Sequence, residues 1–278
     1  CRTIRRCRRG GHCGRGSVAL DRGTVEARRR ATHRVELLDQ GTSLPYARSF
    51  YEFRDAGQSA TLTQATAAWL EKRGVAVTRV APRPSGAVDA AEVEAALRPD
   101  TGLVSVMLAN NETGVLQPIA AIARATRARG VPLHVDAVAA LGKVGIDVGA
   151  LGCDLLSVAG HKLYAPKGSG LLWIRTGTPI EPLVHGCGQQ RGTRGGTENT
   201  FASVGFGAAL GLLARNALSE DPREHERVAA LRDELHARIV ELVPDAQRNG
   251  SGPSLPNTVN IWFPGRPGHV LQLSLIHI

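Results

Sequence analysis

The chain has 278 residues, 42% hydrophobic and 21% charged, the balance of a globular protein with room for one large domain or two smaller ones. Its net charge is +9, but residues 1–59 hold 13 Arg, no Lys and 6 Asp+Glu, while the remaining 219 residues carry 21 basic and 19 acidic groups. A nearly neutral body argues against a phosphate-backbone-binding surface there. No apolar run approaches the roughly 18 residues of a membrane span, and no apolar region follows the basic start as in a signal peptide, so a cytoplasmic location and no membrane partner are expected. The five cysteines form no CxxC pair, which supports neither a disulfide framework nor a zinc site.

Residues 1–59 sustain no helical or strand period. They read as a basic disordered arm, as a solvated tail or, because Arg outnumbers Lys 30 to 4 as in a GC-rich gene, as a segment out of frame. A nucleic-acid-binding arm is the non-enzyme alternative. The segment lacks aromatic interleaving and any recognised motif, so nucleic acid is not expected as a partner.

Order begins near Ala60. A helix is expected over 60–73, ending before Gly74, and a strand over 75–80. Asp89 reads as the N-cap of a helix over 90–97. Strands are expected at 103–109, 131–135, 155–159 and 170–175, with a helix over 118–129 that has Pro118 in its first turn and Gly130 past its end. Apolar strands alternating with helices predict an α/β fold: a mostly parallel sheet with helices on both faces, over 60–250. Residues 186–200 (GCGQQRGTRGGTENT) form a glycine-rich loop, a weak signal alone. Helices follow at 204–213 and 222–243. In the second, Val228, Leu231, Leu235, Ile239 and Leu242 fall on one face, read as a core-facing stripe. Residues 251–278 read as the start of a small domain that the chain does not complete, with a strand at 258–263.

The chemistry gathers around His161-Lys162, which stand where the apolar run 155–159 breaks at Gly160. A lysine at the end of a buried strand needs a reason, because an ammonium is costly to desolvate. Asp136 ends a second apolar run in the same manner, and Asn110-Asn111 follow a third. Together they predict a site at the carboxyl edge of a parallel sheet. An amine can condense with a carbonyl such as that of pyridoxal phosphate (PLP), a carboxylate can hold a pyridinium proton, and the loop 186–200 can supply donors for a phosphate.

Four segments carry a resemblance: LVSVMLANNETGVLQPI (103–119), HVDAVAALGKVGIDV (134–148), GHKLYAPKGSG (160–170) and GQQRGTRGGTENT (188–200). In order and spacing the chain resembles the PLP-dependent class V aminotransferase group, and within it the cysteine desulfurases and selenocysteine lyases, over about 60–270. The resemblance implies the large domain of the fold type I PLP-dependent transferases. It implies Lys162 as the cofactor-binding lysine and proton shuttle, and Asp136 against the pyridine nitrogen. Asn111 would stand near the phenolic oxygen and substrate carboxylate, and His161 would shape the phosphate side. Thr197 would reach the phosphate of a partner subunit's cofactor, hence a homodimer. The implied reaction takes sulfur from L-cysteine, or selenium from selenocysteine. It releases alanine and leaves a persulfide that is passed to a sulfur-acceptor protein, as in iron–sulfur cluster assembly. Another class V reaction, aminotransferase, epimerase or hydrolase, is the alternative within the fold.

The chain departs from the family pattern at several places. Ala139 stands where a glutamine is common and Ala159 where a serine is common, each removing a hydrogen bond to PLP. Gly186-Cys187-Gly188 replaces three glycines, and Gln58 falls where the family has a ring-stacking histidine. The family's phosphate loop of the first third is not recognisable, and neither Cys153 nor Cys187 matches its persulfide cysteine. Little or no desulfurase activity is therefore expected of the 278 residues alone.

Overall fold

The computed structural model describes residues 34–37, 70–72, 74–182, 184–218, 223–266 and 268. Its centre is a six-stranded sheet. The strands are β1 (Arg34–Leu37), β2 (Val77–Arg79), β3 (Thr101–Met107), β4 (Leu133–Asp136), β5 (Leu155–Ala159) and β6 (Gly170–Ile174), in the order β2-β1-β3-β4-β5-β6. The first five are parallel, and β6 joins β5 antiparallel. The mostly parallel sheet of the sequence analysis is present. The expected helix over 60–73 and the glutamine at position 58 lie almost wholly outside the described residues.

Two differences concern strands. β1 forms inside the segment where no period was legible and is flanked by β2 and β3. Four residues are too few to display a period of two. β6 reverses direction because only residues 160–169 separate it from β5, too short for a right-handed crossover with a helix.

Among the described residues the α-helices are α1 (Ala90–Ala96), α2 (Ile119–Ala128), α3 (Val148–Leu151), α4 (Thr200–Leu218) and α5 (Arg223–Leu242). Asp89 caps α1 by accepting the Ala91 N–H, and Asp147 caps α3 through Gly149 and Ala150. Past α2, Gly130 takes the left-handed conformation at φ +67°, and Val131 N–H returns to the Thr126 carbonyl. Pro118 is the N-cap of α2, one residue earlier than expected.

The register explains where the core sits. Val104 pairs with Leu133 and Val106 with Val135, while Leu156 and Val158 continue on β5. These side chains are buried, with Ile119, Ile122 and Ala123 of α2 and Val93 of α1 in the same core. The alternate residues Ser105, His134, Asp136, Ser157 and Ala159 are only half-buried. One sheet face is dry core, and the other carries a polar stripe across β3, β4 and β5.

The expected stripe on α5 is corrected. Leu231 and Leu235 are 51% exposed and Leu242 is 81% exposed. Val228 and Ile239 of that stripe do lie on the inward side, which is completed by Arg232, His236 and Val243. Helical spacing identifies a stripe but not what it meets, and the body here receives an arginine stem and its hydrogen bonds. Past α5, Gln247–Arg248 (β7) and Ile261–Trp262 (β8) pair as a small antiparallel ribbon. β8 is shorter than the strand expected over 258–263.

Candidate active site at the carboxyl edge of the sheet

Because β3, β4 and β5 are adjacent and parallel, their carboxyl ends share one edge, and each delivers a functional side chain there. Asp136 is the last residue of β4. The ladder continues to this point: the Leu108 N–H donates to the Asp136 carbonyl at 2.8 Å, and Ala137 N–H to the Ser157 carbonyl at 2.9 Å. Asp136 Oδ1 accepts the Val138 N–H at 2.9 Å, which fixes the carboxylate by a local turn. Its Oδ2 takes no hydrogen bond from any described residue.

Asn110 and Asn111 have different work. Asn110 is buried. Its Oδ1 accepts the backbone N–H of Glu112 (3.0 Å) and Thr113 (2.8 Å) and the Thr113 hydroxyl (3.1 Å). Ala109 and Leu116 bridge across the loop, so Asn110 builds a closed hairpin and Asn111 is exposed at its tip. Nothing in two adjacent asparagines tells which one turns inward.

Lys162 and His161 lie in a one-turn 3₁₀ segment, Gly160–Leu163, directly after β5. Tyr164 closes the turn in the left-handed region at φ 60°, a costly conformation for a side-chain-bearing residue and one that recurs beside functional groups. A Cβ at Gly160 would collide with Ser169 Oγ, so this sharp exit from the strand needs glycine. His161 and Lys162 are both exposed, and Lys162 Nζ has no hydrogen-bond or ion-pair partner among the described residues.

Thr197 is exposed in the segment before α4 and makes no hydrogen bond to Asp136, Asn111 or Lys162. The glycine loop that precedes it is pinned rather than slack. Gly195 N–H donates to the Val184 carbonyl at 2.7 Å, and a Cβ on Gly186 would stand 2.8 Å from Gly195 Cα. Gln190 and Arg191 in this loop also hold positive φ.

The structure adds two side chains to which the sequence assigned no role. His134 bridges three strands: Ser105 Oγ lies 2.8 Å from Nδ1, and Ser157 Oγ 3.1 Å from Nε2. Burial pushes its pKa below the ordinary value, and the nearby Asp136 carboxylate opposes the shift. Lys143 Nζ donates to the Ala139 carbonyl at 2.8 Å. Its pKa is lowered first by burial and then by the Lys162 ammonium. The nearest sequence signal for His134 was a polar residue inside an apolar strand. Cys153 is fully buried, and burial raises its thiol pKa, the opposite of what a nucleophile needs.

An amine without a partner, a carboxylate with one free oxygen, an exposed amide and a pinned glycine loop fit the aldehyde, pyridine nitrogen, phenolic oxygen and phosphate of PLP. Ala139 and Ala159 offer it no side-chain hydrogen bond. Fold and donor set together define an α/β domain of the PLP-dependent type. The sequence pattern of the aminotransferase class-V family matches residues 55–276, and the chain belongs to this family of PLP-dependent enzymes.

The chain is 42% identical over 213 residues to the cysteine desulfurase IscS of Clostridium botulinum, covering 76% of this chain and 53% of that protein. It is 42% identical over 209 residues to the cysteine desulfurase of Mus musculus, covering 74% and 45%. Among solved structures, a NifS-like protein superposes with a TM-score of 0.74 at 32% identity, over 92% of this chain and 64% of the other. SspA in complex with cysteine superposes with a TM-score of 0.68 at 30% identity, over 91% and 65%. The chain spans about half the length of the curated relatives it matches.

Proposed function

We propose that the chain carries the cofactor-binding domain of a PLP-dependent cysteine desulfurase, an activity that takes sulfur from L-cysteine to give L-alanine and a persulfide on a cysteine other than Cys153 and Cys187. The observation that supports this reading is the shared edge of β3, β4 and β5, which carries an amide, a carboxylate and an amine at successive strand ends. The similarity to cysteine desulfurases and to a cysteine-bound structure supports L-cysteine as the substrate.

Bound PLP supplies an electron sink for cleavage at the α- and β-carbons of an amino acid. Asp136 Oδ2, left open while Oδ1 holds Val138, keeps the proton on the pyridine nitrogen. Lys162 Nζ would hold the cofactor's aldehyde carbon, and its amine would move the proton at the substrate's α-carbon. Asn111 holds the phenolic oxygen and orients the substrate carboxylate, and His161 lines the phosphate side. The pinned loop presents Thr197 toward the phosphate of a second subunit's cofactor.

A homodimer follows from that role, and α4 supports it. Phe201 is 90% and Val204 73% exposed at the start of a helix that is apolar on all sides, and Tyr164 after the lysine turn is fully exposed. A sulfur-acceptor protein would then draw on the persulfide.

The test is to add PLP to the purified protein and follow the absorbance of the lysine-bound cofactor near the visible edge. Wild-type protein should develop it, and K162A should not. Equal absorbance in the two proteins would refute the site. A change in that absorbance on adding L-cysteine, and not on adding selenocysteine, then decides the substrate.

A further inference from the structure

We infer that residues 249–258 form a strap that sets the position of the Asn111 hairpin, and that Arg232 on α5 is the positioning residue that tightens it. Its link to the cofactor rests on the role proposed above for Asn111. The hairpin 109–116 is closed by its own bonds, tied at its base through Gln117 to Gly86 and Val88, and held along its other side by the strap. Leu116 N–H donates to the Pro253 carbonyl at 2.7 Å, and Leu255 N–H donates back to the Gly114 carbonyl at 2.9 Å. Val115 and Ser254 form an antiparallel bridge between the two segments. Asn260 Nδ2 reaches the Glu112 carbonyl at 3.4 Å, next to Asn111 itself.

The fit is tight. Gly114 sits at φ +75°, and a Cβ there would stand 2.8 Å from Thr258 Cβ. A Cβ on Gly250 would stand 2.5 Å from Val115 Cγ2. The far end of the strap is held by Ser251 and Gly252 N–H groups on the Ser85 carbonyl, at 3.0 and 3.1 Å. The Leu255 side chain is sunk in the core.

Arg232 fixes the middle. Its Nη1 donates to the Leu255 carbonyl at 2.7 Å and to Ser254 Oγ at 3.3 Å. Its Nε and Nη2 engage both oxygens of Asp233 at 2.8 and 3.0 Å. The side chain is 13% exposed. Arg248 Nη2 adds a second bond to Ser254 Oγ at 2.7 Å. A planar guanidinium bound on two edges cannot swing without breaking several charged hydrogen bonds, so it locks the strap to α5. The path is therefore Arg232 to Leu255, Leu255 to Gly114, and Gly114 to the hairpin tip. Arg232 acts without touching the cofactor edge, as support for a group that must be held closely.

Hydrogen exchange of the PLP-free protein tests the strap, comparing R232M, which keeps the stem, with R232K, which keeps one donor. In R232M the amides of Leu116 and Leu255 should exchange about tenfold faster, with R232K between it and wild type, because local opening sets the exchange rate. Unchanged exchange at both amides in R232M overturns the inference. If R232M does not melt cooperatively, S254A, which removes the shared hydroxyl, should give a smaller acceleration at the same two amides, and none would overturn it.

The PLP-loaded protein gives the second readout, the pH midpoint of the cofactor absorbance. R232M should shift it in the same direction as N111A, R232K should partly restore it, and R232M with N111A should shift it no further than N111A alone. A midpoint that moves in N111A but not in R232M overturns the coupling to Asn111. A midpoint that N111A leaves in place refutes instead the role proposed for Asn111, while exchange still decides the strap.

Discussion

His134 and Asp136 stand two residues apart on the same side of β4, and only Asp136 reaches the strand's carboxyl end. The histidine is thus set back under the carboxylate, bridged by Ser105 and Ser157 to the strands on either side. Two hydroxyls can each donate or accept, so they satisfy a neutral imidazole in either tautomer. A neutral ring leaves the charge of Asp136 unneutralised from below, available to a cation at the edge.

The pH dependence follows. The folded-state pKa of His134 is depressed below its ordinary value of about 6.5. Above that value both the folded and unfolded chains hold it neutral, and it has no effect on stability. As pH falls through about 6.5, the unfolded chain gains a proton that the folded chain resists, so stability declines. Thermal melting between pH 8 and 5 should show this decline in wild type and a shallower one in H134Q. Parallel curves would count against a buried neutral His134.

Asp136→Asn separates the carboxylate's structural bond from its proposed chemical one. The amide oxygen can still accept from Val138 N–H, so stability should stay within about 1 kcal/mol of wild type. The negative charge proposed to face the pyridine nitrogen is gone, so PLP retention should weaken and the pH midpoint of the cofactor absorbance should move away from the wild-type value. A D136N protein that holds PLP with the wild-type affinity and absorbance midpoint would remove Asp136 from the site.

Much of this architecture was legible because short-range rules carried it. Asp89 and Gly130 mark helix ends by local hydrogen bonding and backbone freedom, and the runs ending at Asp136 and Ala159 are apolar whichever way a strand points. Strand direction is a matter of connection, and the antiparallel β6 was signalled only by the shortness of the segment 160–169, not by its own apolar pattern. The choice between Asn110 and Asn111 depends on hairpin closure, and the importance of Arg232 on a carbonyl 23 residues away. The candidate edge was therefore visible in part: Lys162 and Asp136 by their position near strand ends, His134 and Lys143 only once neighbouring elements were in place. Thr197 was reached through resemblance, and its contacts within one chain add nothing to that.

Gly114 and Gly130 give a paired test of packing. Both hold positive φ, at +75° and +67°. Alanine at Gly130 meets nothing within 4 Å, so G130A should cost only the backbone strain of about 1–2 kcal/mol. At Gly114 the new methyl runs into Thr258, adding about 1–3 kcal/mol for overpacking. Urea denaturation should rank G114A below G130A, and equal midpoints would mean that the strap yields freely.

The last prediction concerns α4. A helix with apolar residues on every side is stable only when every side is covered, yet Phe201 and Val204 face outward in the single chain. A second copy would cover them, and would bring Thr197, three residues before the helix, toward that copy's edge. Sedimentation of the purified protein should give a dimer, and F201E should shift it to monomer by placing a charge in an apolar contact. The same substitution should weaken PLP retention although Phe201 is far in sequence from Lys162 and Asp136. A dimer that survives F201E would send the partner to another face and would detach Thr197 from the phosphate.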